Sequence, residues 1–323
     1  MIKILFCKDK KIEEGKYENL ALYKNSVDLL WVDIEAAKDE ELAVLDEVFS
    51  FHELAIEDCI FPSQPKIDEF TDHLFIVIYA LLNSEGEITT EELNMFVGQN
   101  YVVTVHEKPV PVLTNIAKNL SLENTDFIKT PDFLLHAIVD KVIDGFFLLV
   151  NKIDSEIDMV EESAVEKPGK EMISRLFEIK KKIISLRRII VQQQKVIKQI
   201  TTKSNILIKE EMIPYFDDIL DHIEQMNNAL ETYRDATTNI LQWLNSCLEV
   251  HFQEISNQMT QVMKILTVFA TIFMPLALIT SYYGMNLSLP EFKWGIKGFL
   301  FAVAIMASVT IGLLIYFRKK RWI

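Results

Sequence analysis

The chain has 323 residues, half of them hydrophobic and a quarter charged, with a net charge of −14 and a mean hydropathy of +0.16. Residues 264–323 hold seven basic residues and one acid, Glu291, which leaves a net charge of −20 on residues 1–263. Charge and hydrophobicity are segregated along the chain, which excludes a single soluble domain, and a large part this acidic excludes nucleic acid as its default partner because it repels phosphate.

The first residues, 1–11, are apolar for only four or five positions before charge resumes, so they read as neither a signal peptide nor an anchor, and residue 1 is expected in the cytoplasm. Three cysteines, Cys7, Cys59 and Cys247, are far apart and lack any C-x-x-C spacing, as expected of reduced thiols facing a cytosol. Residues 1–130 mix β-rich runs with short helical patterns. The runs are 2–7, 27–34, 73–82 and 95–105, the last broken by the turn-like Gly98-Gln99-Asn100; helical patterns lie at 40–49 and 112–120. This alternation predicts a compact α/β domain, without giving its sheet order.

From Pro131 the pattern becomes almost wholly helical, with one amphipathic stretch over 132–165, a break at Pro168-Gly169 and a second stretch over 170 to about 200, a hairpin within residues 131–203. The first helix ends in Asp154, Glu156, Asp158, Glu161, Glu162 and Glu166, and the second carries Lys180, Lys181, Lys182, Arg187 and Arg188. An antiparallel pair can align these blocks. They read either as solvated faces with exposed ion pairs worth at most about 1 kcal/mol each or as an acidic lobe that attracts cations.

Pro214 suits a first helical turn, and from there to Tyr282 the only further Gly or Pro is Pro275. That is roughly 100 Å of helix at about 1.5 Å per residue, with residues 204–263 as a stalk and 264–283 as a membrane span. One chain cannot bury such a rod, so a bundle of several subunits is expected. Leu241, Leu244, Leu248, Phe252, Ile255, Met259 and Val262 recur at steps of three and four, as a helix-packing seam does. Beside them Glu249, Gln253, Ser256, Thr260 and Met263 keep the same rhythm, continued by Leu266, Ala270, Met274, Ala277 and Ser281. Periodicity alone leaves two readings of this second file, the lining of a central passage or the outer face of the bundle.

No charge occurs from 265 to 290 or from 298 to 317, and each run is long enough to cross the hydrocarbon core. Arg318, Lys319, Lys320 and Arg321 follow the second run, in residues 318–323, so the positive-inside rule places both termini in the cytoplasm and residues 284–297 outside. Trp294 and Trp322 flank the second span, where interfacial aromatics belong. Pro275 frees a carbonyl in the first span and can kink it.

Tyr283-Gly284-Met285-Asn286 closes the first span. A glycine there lets the backbone turn sharply, and a ring of Asn carboxamides can hold Mg²⁺ through its waters without stripping them. Two C-terminal spans, a short outer loop, a long preceding helix, Met274-Pro275 and Gly284-Met285-Asn286 together resemble the CorA family of magnesium transport proteins. So do three cytoplasmic segments: His52-Glu53-Leu54-Ala55-Ile56-Glu57-Asp58, Pro65-Lys66-Ile67-Asp68-Glu69-Phe70 and Met212-Ile213-Pro214-Tyr215-Phe216.

The resemblance implies an α+β membrane protein: a cytoplasmic α/β domain, a helical hairpin, a long stalk helix and two spans, assembled as a homopentameric funnel in a cell-membrane bilayer. It implies a transporter of Mg²⁺, with cobalt and nickel as further cargo, and neither an enzyme nor a protein with an organic cofactor. Asn286 would form the external selectivity ring, shaped by Tyr283, Gly284 and Met285. Thr260, Met263, Leu266, Ala270, Met274, Ala277 and Ser281 would line the pore, with Met263 and Met274 as apolar gates. Regulatory Mg²⁺ would bind between subunits, at Glu249 and a carboxylate for which Glu85 is the one acid in the matching stretch.

The alternative is a zinc transporter of the same superfamily, since Cys247 and His251 flank Glu249 and Zn²⁺ favours such ligands. An enzyme or sensor finds no support: Gly15-Lys16-Tyr17 and Gly169-Lys170-Glu171 do not complete a phosphate-binding loop. Asp217, Asp218, Asp221 and His222 have helical metal-ligand spacing but read as a solvated face.

Overall fold

The computed structural model describes residues 1–8, 11–37, 39–82, 88–122, 130–166, 169–202, 207–285 and 295–322. It divides into two compact units, Met1–Leu244 and Asn245–Ile323.

The first unit is built on a seven-stranded sheet. Its strands are β1 (Ile2–Lys8), β2 (Lys11–Glu14), β3 (Leu29–Glu35), β4 (Lys66–Glu69), β5 (Leu74–Leu81), β6 (Thr90–Val97) and β7 (Tyr101–His106). Their order is β2-β1-β3-β7-β6-β5-β4, antiparallel throughout except where β3 runs parallel to β7. The run at 95–105 is therefore two strands of a hairpin, with the ring of Tyr101 lying where a side chain at Gly98 would stand.

Both faces of the sheet are covered, which is why its strands read as apolar runs. Alternate residues point to opposite layers. Leu74, Ile76, Ile78 and Ala80 of β5 join one core with Leu29, Trp31, Leu93 and Met95. Phe75 and Val77 join the other with Leu30, Val32, Phe96 and Val103. The second core is closed by α1 (Leu20–Ser26), α2 (Asp39–Glu47) and α3 (Glu53–Asp58). The first is closed by α4 (Pro111–Leu122), α5 (Pro131–Glu166), α6 (Lys170–Thr202) and the first half of α7 (Ile213–Tyr283).

Two polar side chains tie these helices down. Gln193 of α6, fully buried, donates from Nε2 to the Tyr79 carbonyl of β5 at 3.1 Å. Asp132, 1% exposed at the start of α5, accepts from the backbone N–H of Phe133 at 3.0 Å and of Lys209 at 3.3 Å, which fixes the approach to α7. The acidic and basic blocks of α5 and α6 meet at Lys182–Glu156, 2.8 Å apart and partly exposed.

The second unit holds the remainder of α7 and α8 (Ile296–Lys319). Both are long and apolar enough to cross a membrane, with mean hydropathy of 2.2 and 2.4 over their most apolar stretches. Helix α7 passes through Pro275 without a break in its assignment. Gly295, at φ +57°, caps α8 with a backbone conformation that suits a residue without a Cβ.

Candidate ion pathway

Within the second unit, the sheltered residues of each helix fall on one face. On α7 these centre on Val268, Ile272, Pro275 and Ile279; on α8 they centre on Gly298, Ala302, Ile305, Val309, Leu313 and Phe317. Each file steps by three and four, so the two form the seam of a helix pair. At 100° per residue, Leu266, Ala270, Met274, Ala277 and Ser281 lie about half a turn from the sheltered face of α7. The three that precede the seam or fill its far side carry large exposed side chains, Met263 at 57%, Leu266 at 61% and Met274 at 75%. Phe269 and Phe273, ring centroids 6.4 Å apart, occupy a flank between the two faces.

The hydroxyls along this part of α7 are turned inward on the helix. Thr260 donates to the Ser256 carbonyl at 2.8 Å, Thr267 to Met263 and Thr271 to Thr267, each at 2.7 Å, and Thr280 to Ala277 at 3.0 Å. A hydroxyl whose proton is so used still offers its oxygen lone pairs. Thr260 thus keeps acceptor capacity on its oxygen while its proton is committed to the helix.

At the end of α7, Tyr282 and Tyr283 pack edge to face with centroids 5.5 Å apart, and Met285 is exposed. Gly284 donates its N–H to the Thr280 carbonyl at 2.9 Å, and a Cβ there would stand 3.1 Å from the same oxygen. Gly284 does not have a positive φ and its N–H continues the i to i−4 pattern of α7, so the described backbone makes no sharp turn at this glycine. Asn286 and Glu85 lie outside the described residues.

Glu249 is exposed on α7. Glu249 is turned by about 200° from Cys247 and from His251, so it does not share the face that those two, four positions apart, have in common. Among the described residues, metal-ligating atoms gather elsewhere: those of Asp140 and Asp144 of α5 and His222 of α7 lie within 4.8 Å of one another. Lys141 already supplies a cation there, with Nζ 2.6 Å from Asp144 and 3.3 Å from Asp140. The Asp144 bond, against the cost of burial, raises the Lys141 pKa and keeps that cation in place. Sequence spacing had grouped His222 with Asp217, Asp218 and Asp221; the missing signal was that α5 supplies its carboxylate neighbours.

A two-span membrane protein with an α/β unit and a long helix shared between that unit and the membrane is the class these elements define. A family model described as CorA-like Mg2+ transporter protein matches residues 26–319. The chain is 31% identical over 313 residues to the cobalt/magnesium transport protein CorA of Thermotoga maritima, covering 95% of this chain and 87% of that one. The complete structure of the CorA magnesium transporter from Methanocaldococcus jannaschii aligns with 100% of this chain and 99% of its own, at a TM-score of 0.74 and 22% identity. The ZntB cytoplasmic domain from Vibrio parahaemolyticus covers 76% of this chain and 97% of its own, at a TM-score of 0.65 and 12% identity, a likeness of fold alone.

The chain belongs to the CorA family. It is a divalent metal-ion transporter of the membrane rather than an enzyme.

Proposed function

We propose that this chain forms a homopentameric channel that admits hydrated Mg²⁺, with Co²⁺ and Ni²⁺ as further cargo, and closes in response to Mg²⁺ in the cytoplasm. The observation that carries the proposal is the placement of the file from Met263 to Ser281, exposed in the single chain and half a turn from the seam with α8. Around a symmetry axis that file faces the centre, while α8 takes the lipid side.

In this reading Asn286, with Tyr283, Gly284 and Met285, makes the outer ring that holds the ion through its waters. Mg²⁺ dehydrates reluctantly, so neutral oxygens that bind its hydration shell admit it without the cost of stripping it. Met263 and Met274 form apolar rings that close by dewetting, and Leu266, Ala270, Ala277 and Ser281 line the passage between and beyond them. The oxygen of Thr260 receives the water shell on the inner side. The membrane potential, about 2.3 kcal/mol per charge per 100 mV, drives the ion inward. Glu249, with Glu85 of a neighbouring subunit, supplies the carboxylates that bind regulatory Mg²⁺. Five copies of a portion at −20 repel one another, and bound divalent cations relieve that repulsion.

A zinc transporter is the second reading, since the fold is shared with the ZntB cytoplasmic domain. Ion-selective flux into proteoliposomes separates the two. Uptake of Mg²⁺ together with Co²⁺ and Ni²⁺ is expected; uptake of Zn²⁺ with none of Mg²⁺ would reject the proposal. Millimolar Mg²⁺ is further expected to protect the stalk region of α7 from protease, and identical cleavage with and without the ion would reject cytoplasmic gating.

A further inference from the structure

Helix α8 ends in a built turn. The N–H of Trp322 donates to the Phe317 carbonyl at 3.0 Å, and that of Arg321 to the Arg318 carbonyl at 3.1 Å. This nested pair, one bond reaching back five residues and the other three, is the closure of a Schellman turn. Its usual apolar contact is present as well: Trp322 stacks on Phe317 with centroids 5.8 Å apart and planes at 23°. The turn needs one residue in the left-handed region, and that residue is Arg321, at φ +55°. Glycine normally fills this position because a Cβ there crowds the following carbonyl. Here the chain accepts the crowding and gains a guanidinium.

The same turn orders the other charges. Lys320 Nζ lies 5.4 Å from the ring centre of Tyr316 and 5.9 Å from that of Trp322. Arg318, Lys319 and Arg321 are exposed, and residues 292–322 contain no Asp or Glu. Orientation of the spans requires only that basic residues be present near the membrane. It does not require that four of them be held in a hydrogen-bonded turn with two aromatic rings at interface depth.

We infer that the turn at residues 318–321 is a docking site for the phosphate groups of anionic lipids in the leaflet it borders. Guanidinium groups match phosphate bidentately, and a cluster of four basic residues directly after a span has the charge to hold such headgroups. Trp322 and Tyr316 supply the apolar bodies with polar edges that settle at the same depth. Arg321 is the residue whose identity the turn itself does not favour, so its side chain is the one to test.

The test is the relative association of spin-labelled phosphatidylglycerol and phosphatidylcholine with the full-length protein in mixed vesicles. The wild-type protein is expected to prefer phosphatidylglycerol, less so at high salt. Arg321→Gly is expected to lower that preference about five-fold while the thermal unfolding temperature stays level or rises, because glycine relieves the left-handed backbone. Arg321→Lys is expected to keep most of the preference. Equal association of the two lipids with the wild-type protein, or an undiminished preference in Arg321→Gly, would overturn the inference. So would a lowered unfolding temperature in Arg321→Gly, since the arginine would then be serving the turn.

Discussion

Helix α7 is one element in two environments. In the first unit its Phe216, Ile219, Ile223, Met226 and Leu230 are completely buried against α5, α6 and the sheet. In the second unit Phe252, Ile255, Met259 and Val262 keep the same spacing and are 67, 48, 69 and 64% exposed. Burial of such a side chain stabilises by about 1.5–3 kcal/mol, so the first stretch is stabilised by its own chain, and in the proposed oligomer the second is covered by other subunits. The contrast teaches that periodicity reports the presence of an apolar face and says nothing about whose surface will cover it.

Five substitutions test this contrast. The largest effect is expected outside both apolar stretches, at Asn286: Asn286→Ala should abolish Mg²⁺ uptake in proteoliposomes while the assembly survives gel filtration in detergent. Undiminished uptake would remove Asn286 from the filter. Next, Phe216→Ala should destabilise the first unit by about 3–5 kcal/mol, read as a lower unfolding temperature. Phe252→Ala, equally apolar, should leave that transition in place and weaken the oligomer instead, and the two variants behaving alike would erase the distinction between the regions.

A smaller effect is expected at His106, buried at the end of β7. Burial acts to lower its pKa, but Asp33 Oδ1 at 3.2 Å and the Lys108 carbonyl at 2.7 Å accept from both ring nitrogens and raise it overall. The stability it contributes is therefore complete below its unfolded value of about 6.5 and lost as pH rises through the higher folded value. His106→Gln should remove that part of the pH dependence, which unfolding curves taken on both sides of neutrality will show. The smallest effect belongs to Lys182→Ala. Its pairing with Glu156 is partly exposed, so a loss of no more than about 1 kcal/mol is expected, and a larger loss would mean that the pair couples α5 to α6.

The long helices of both units were legible in the sequence because Pro131, Gly169, Pro214 and the uncharged runs mark their ends, whereas the short α1 and α3 were not. Most long strands were legible too, although β6 begins at Thr90, ahead of the run at 95–105. Strands β2 and β4 were not: each has four residues and none of the eight is buried, so neither carries an apolar run. Sheet order was hidden because the parallel pairing of β3 with β7 joins residues about seventy positions apart. The cluster of Asp140, Asp144 and His222 was hidden for the same reason, its members standing on two helices. At the ion pathway the sequence supplied the file of residues and left its direction open; the seam between α7 and α8 is what distinguishes the two sides.

Whether that file faces the pore is read by thiol accessibility. In a background with Cys7, Cys59 and Cys247 replaced by serine, single cysteines at Ala270, Met274 and Ala277, and at Phe269 and Phe273 on the flank, are treated with a charged thiol reagent while Mg²⁺ flux is followed. Modification at 270, 274 and 277 is expected to block the flux, and modification at 269 and 273 to leave it unchanged. Block from the flank positions with none from the file would contradict this.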